Sequence, residues 1–128
     1  MKRETAKRLL DAYMACNEVQ DFSVGRTVDA LWEDRLLQLG LHKLLEIIGE
    51  ALSQAIKSDP AIAPSIPDAR RYIAVRNRIT HGYDSVDYTV IWQICTERIP
   101  SLATALDALL TEQYPDWDTY RSDRHEPD

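Results

Sequence analysis

The sequence predicts an all-α protein, an antiparallel up-and-down four-helix bundle. Apolar residues recur at three- and four-residue steps through most of the chain, the period of one helix face. No stretch alternates apolar and polar residues as a half-buried strand would. With 4 Gly and 6 Pro in 128 residues, turn-formers are too few for a β-sandwich or barrel. The composition, 45% hydrophobic and 28% charged, is that of a globular chain, and the length suits one domain. We place that domain at residues 1–114 and a polar, frayed tail at 115–128.

The first helix is expected from Arg3 to about Gln20, with Leu9, Leu10, Tyr13 and Cys16 on one stripe. Gly25 marks a turn, and Thr27 suits the cap of the next helix. That second helical pattern runs from about Val28 to Lys57 through Leu37, Leu41, Leu44, Leu45, Ile48, Leu52 and Ile56. It is long for one globular helix, so a break near Gly40 or a separate short helix over 28–34 is expected. Pro60, Pro64 and Pro67 forbid a regular helix between Ser58 and Pro67, because each removes a backbone donor. A third helix begins at Asp68 and ends at Gly82, which caps a helix cheaply. The last runs from about Asp87 to Tyr114, with Pro100 expected to bend it after Arg98. The apolar residues on more than one face of the long helices favour a homodimer.

Several function classes fall away. No apolar run approaches the roughly 18 to 20 residues that span a bilayer, so no membrane role is expected. The charged N-terminus is followed by no apolar segment of a secretory signal, which points to the cytoplasm. Cys16 and Cys95 read as two buried thiols of a reducing compartment. There is no HExxH, HxxE or paired-Cys spacing for a metal, and no glycine-rich phosphate loop for a nucleotide cofactor, so neither is expected. Trp32, Trp92 and Trp117 read as packing residues, with Trp117, in the polar tail, the one whose indole could be an exposed contact. The net charge of −6 argues against a large DNA-binding surface. The charge is uneven, however. Residues 69–83 hold four arginines (Arg70, Arg71, Arg76, Arg78) and no acid, so a polyanion would be met there.

The same segment holds the candidate site. At about 100° per residue, with Ile79 at zero, Val75 and Tyr72 fall within about 40° and define the core face. Arg70, Ala74, Asn77 and His81 fall between about 160° and 220°, on the opposite side, with Arg76 on a flank between. Plainer roles compete for His81: a histidine meeting the free carbonyls of a helix end, or a core histidine. Neither explains Asn77 and Arg76 one turn earlier. A guanidinium, an amide and an imidazole together suit phosphodiester chemistry, since the first binds phosphate bidentately and the last moves protons near neutral pH. One helix supplies one histidine, whereas cleavage through the 2′-hydroxyl wants a base and an acid. A two-fold dimer would supply both from two copies. Glu50, after Ile47-Ile48-Gly49, is either a solvated helix residue or a polar group reaching Arg76 or Asn77, with Gly49 permitting close helix approach.

These residues match a family. Arg76-x4-His81-x-Tyr83 resembles the motif of the HEPN superfamily, and the surroundings resemble its HepT-like branch: Leu45-Glu46-Ile47-Ile48-Gly49-Glu50-Ala51, Arg76-Asn77, His81-Gly82-Tyr83, Val86-Asp87, Ile91-Trp92 and Ile99-Pro100. The likeness covers about residues 5–112. It implies a dimeric, metal-independent ribonuclease toxin of a type VII-like toxin–antitoxin pair, with Arg76 and His81 catalytic and Asn77 supporting. It also implies an MntA-like nucleotidyltransferase antitoxin that places AMP on Tyr83, where the added phosphate would occupy the Arg76 site and repel RNA. The sequence departs from the family in lacking a Trp after Pro67, which bears on partner and substrate choice rather than on the motif. The alternative is a non-catalytic helical subunit that binds a nucleotide or a nucleotidyltransferase partner. A third reading is a purely structural helical dimer.

Overall fold

The computed structural model describes residues 1–82 and 86–117, the side chains at 81 and 82 excepted. Helix α1 spans Arg3–Ser23, α2 Val28–Glu33, α3 Arg35–Ser58, α4 Ala69–Gly82, α5 Tyr88–Gln93 and α6 Ile99–Gln113. A 3₁₀ segment, Pro60–Ser65, lies between α3 and α4, and a π-helical turn, Ile94–Arg98, joins α5 to α6. Among the described residues there is no strand, and the bundle is all-α. Its four long rods are α1, α3, α4 and the α5–α6 run.

The rods pack where their apolar stripes meet. Leu9, Cys16 and Val19 of α1, Leu41, Leu45, Ile48 and Leu52 of α3, and Leu102, Leu106 and Leu110 of α6 are almost wholly removed from water. Burying such side chains contributes about 1.5–3 kcal/mol each, so this dry centre dominates the stability. The first turn of α1 meets the last turn of α3, where Lys2 Nζ donates to the Ser58 carbonyl at 3.0 Å and the Thr5 and Ser58 hydroxyls are hydrogen-bonded. At the far end, the Phe22 ring lies over Gly40. The two helices are therefore antiparallel. Cys16 and Cys95 are both free and buried. Burial pushes both thiols above their ordinary range, Cys95 to about 12, which makes them packing groups rather than nucleophiles.

The breaks fall partly where expected. Of the two alternatives for the 28–57 pattern, the separate short helix over 28–34 is the one formed: the pattern divides at Asp34, not at Gly40. Thr27 caps α2, its hydroxyl accepting from Ala30 N at 3.2 Å, and Asp34 caps α3 by accepting from Leu37 N at 3.1 Å. Gly40 sits inside α3, and a Cβ there would come within 2.7 Å of the Phe22 ring, so the missing side chain makes room for a neighbour. The bend expected near Pro100 takes the form of the π-helical turn just before it. Pro100 has no N–H and crowds the carbonyl four residues back, and a wider turn accommodates both defects. The third helix begins one residue later than expected. Asp68 itself adopts φ +62°, and its carboxylate pairs with Arg98 at 3.1 Å, tying the start of α4 to that turn.

Trp117 corrects another expectation. Its indole is buried at 2% exposure, edge-on to Tyr13 with ring centroids 5.1 Å apart, and Nε1 donates to the Thr111 hydroxyl at 3.1 Å. The packed body thus runs past 114 to this residue. No helix among the described residues is long and apolar enough to cross a membrane.

Candidate active site

Helix α4 lies with Tyr72 and Ile79 buried and Val75 partly buried against the core, as the helical wheel requires. Tyr72 Oη donates to the Arg98 carbonyl at 3.1 Å and fixes the helix's roll against the π-helical turn. Arg70, Ala74 and Asn77 are exposed on the outer face. Arg76 falls on the flank towards α3.

Gly49 sets the distance between α3 and α4. A Cβ at this position would collide with the Cβ of Arg76 and stand 2.9 Å from the Tyr72 carbonyl. Only glycine lets the two backbones approach this closely, and the approach puts Arg76 beside the next residue, Glu50. Arg76 Nη2 lies 3.1 Å from Glu50 Oε2, and Nη1 donates to Asn77 Oδ1 at 2.8 Å. Gln54, one turn after Glu50, donates from Nε2 to Glu50 Oε1 at 2.9 Å. The guanidinium is held on two sides, yet its side chain remains 31% exposed. Its Nε is buried and lacks a hydrogen-bond partner among the described residues. A guanidinium has five N–H donors, so an arriving anion still finds unused ones in fixed directions.

Arg76 overlooks a groove of about 520 Å³ between α1 and α3. Arg8, Lys43 and Arg76 line it against Asp11, Glu18, Glu46 and Glu50, three cations to four carboxylates. The groove is thus no basin for a phosphate chain. Of its cations, Arg76 at the edge is the one on the motif helix.

His81 is the penultimate residue of α4, five positions after Arg76 in the same helix. Its side chain, and all of Tyr83, lie outside the described residues. The structure therefore brings together Arg76, Asn77 and Glu50 of the expected set. Gln54 was missed by sequence reasoning, although its i+4 spacing from Glu50 is a readable signal. His42 is buried, stacked on Tyr88 at 5.4 Å, with Nε2 lacking a hydrogen-bond partner among the described residues. Among the described residues there is no group of three or more His, Cys, Asp or Glu placed to hold a metal ion.

An all-helical bundle with an Arg-Asn pair on the third rod, a histidine one turn further on, and a glycine-set approach to a glutamate defines an HEPN-type protein. The family model described as ribonuclease HepT-like matches residues 13–109, and the chain belongs to the HepT-like ribonuclease family. It is 30% identical over 109 residues to the protein named "Probable ribonuclease HepT" of Thermococcus cleftensis, covering 85% of this chain and 98% of that one. It is 28% identical over 102 residues to "Putative RNase MJ1380" of Methanocaldococcus jannaschii, covering 79% and 92%. No solved structure matches the chain.

Proposed function

We propose that this chain is a metal-independent endoribonuclease toxin that acts as a homodimer, with Arg76 and His81 of both copies around one cleft. The observation that carries the reading is the state of Arg76: anchored by Glu50 and Asn77, half-exposed, with donors to spare, on the helix that carries His81. The family supports the same reaction class.

In the proposed step one imidazole takes the proton of a ribose 2′-hydroxyl. The 2′-oxygen bonds to the adjacent phosphorus, and the bond from phosphorus to the 5′-oxygen breaks. The leaving oxygen takes a proton from the imidazolium of the other copy. Arg76 stabilises the charge that grows on the phosphorane oxygens, where a fixed donor is worth most. Asn77 holds the guanidinium in place through its side-chain oxygen. The products are a 2′,3′-cyclic phosphate and a 5′-hydroxyl. A nucleotidyltransferase antitoxin would silence the site by transferring AMP from ATP to the Tyr83 oxygen, releasing pyrophosphate.

The test is the purified chain with total RNA in EDTA, comparing wild type with His81→Ala. Cleavage that leaves cyclic phosphate ends and disappears in the variant is expected. RNA that is bound but never cut would establish a binding subunit instead.

A further inference from the structure

The second flank of α4 carries a site of its own. On the wheel that puts Ile79 at zero and Arg76 at about 60°, Arg78 and Arg71 fall at about 260° and 280°. They face a groove of about 420 Å³ between α4 and the α5–π-turn segment. Arg71, Arg78 and Arg98 line it together with Glu97, over a floor that includes Val75, Val90 and Ile94. Arg98 is committed to Asp68, whereas Arg71 and Arg78 form no ion pair among the described residues. Both are exposed. Seven residues apart, they stand about 10 Å apart along the helix axis, close enough for one strand to meet both.

We propose that this groove is the track on which single-stranded RNA is held by its phosphates as it is led onto the outer face of α4. The inference rests on the ribonuclease reading and supplies the substrate path that reading lacks. Charge complementarity selects the occupant and the side. The groove beside Arg76 has more carboxylates than cations, whereas this one sets the guanidinium groups of Arg71, Arg78 and Arg98 against the single carboxylate of Glu97. Continuity selects RNA over an acidic protein. Arg78 stands three positions before His81, and residues three apart are neighbours on a helix surface. A strand on Arg71 and Arg78 thus runs towards the end of α4 that carries the motif.

The experiment measures binding apart from cleavage. A fluorescein-labelled 12-nucleotide single-stranded RNA is titrated with the full chain carrying His81→Ala, with and without Arg71→Gln and Arg78→Gln, over a range of salt. Removing two phosphate contacts should weaken binding on the order of tenfold and reduce the slope of log affinity against log salt by about 1.4, at about 0.7 per contact. The same two-charge change at Arg3 and Lys57, elsewhere on the surface, should leave the slope alone. Melting curves check that the variants fold, which exposed Arg→Gln changes should permit. Unaltered affinity and slope in the Arg71/Arg78 variant would overturn the track, even if wild type cuts RNA. Weakened binding by that variant, with no cleavage by wild type, would instead leave the track standing and remove the ribonuclease. RNA binding that is unmoved while binding of an acidic partner protein is lost would reassign the groove to that partner.

Discussion

The two flanks of α4 use the same side chain in opposite ways. On the α3 side, Arg76 is pinned by a carboxylate and an amide, and its Nε is buried. On the α5 side, Arg71 and Arg78 are exposed and form no ion pair among the described residues. A pinned guanidinium has lost its rotamer freedom in advance, so it suits charge stabilisation at one fixed point. A free one retains that entropy and tolerates a substrate that slides, which suits capture. On the proposed reading, one helix separates turnover from recruitment by what stands beside each arginine.

The sharpest way to break that contrast is Arg76→Ala. It should lower kcat for RNA cleavage by about 10²–10³-fold, in line with removal of one transition-state donor, read by single-turnover kinetics on a labelled RNA. Gly49→Ala attacks the same flank from the other side. The added methyl meets backbone as well as Arg76, so α3 and α4 must separate. A loss of about 1–3 kcal/mol in urea denaturation, typical of overpacking, should accompany reduced cleavage. Glu50→Ala should cost kcat on the order of tenfold through a loosened guanidinium, with Glu50→Gln recovering much of it because the amide oxygen still accepts from Arg76. Little change in melting temperature is expected there, since a half-exposed ion pair contributes about 0–1 kcal/mol.

The smallest effect concerns His42. Burial, with Arg35 nearby, holds its imidazole below the ordinary 6.5. The native state therefore resists a proton that the unfolded chain accepts. The stability contributed by neutral His42 is complete above about pH 6.5 and is lost as pH falls through that value towards the lowered native one. The melting temperature of wild type relative to His42→Phe should decline between pH 7.5 and pH 5.5, and an unchanging difference would rule out this group as the cause.

Much of the fold was legible because it follows from local periodicity. The stripes of α1, α3 and α6 become the buried centre, and Ile79 and Tyr72 turn inward as the wheel demands. What escaped depends on partners remote in sequence. Gly40 reads as a breaker until the Phe22 ring is seen above it. Trp117 reads as a loose indole until Tyr13, at the other end of the chain, covers it. Glu50 could be solvated or tied, and the close approach at Gly49 decided it. The local run of four arginines was plain, but its division into Arg76, tied to Glu50, and three with no ion pair among the described residues exists only in the packed structure.

The division of labour is tested most directly by the full dependence of cleavage rate on RNA concentration for wild type, Arg76→Ala, and the Arg71→Gln, Arg78→Gln pair. The arginine at Glu50 should show its loss in kcat, persisting at saturating RNA, and the pair should show its loss in KM. If Arg76→Ala cuts RNA at the wild-type maximal rate, or if the pair's deficit persists at saturation while KM holds, the two flanks do not divide the work as described.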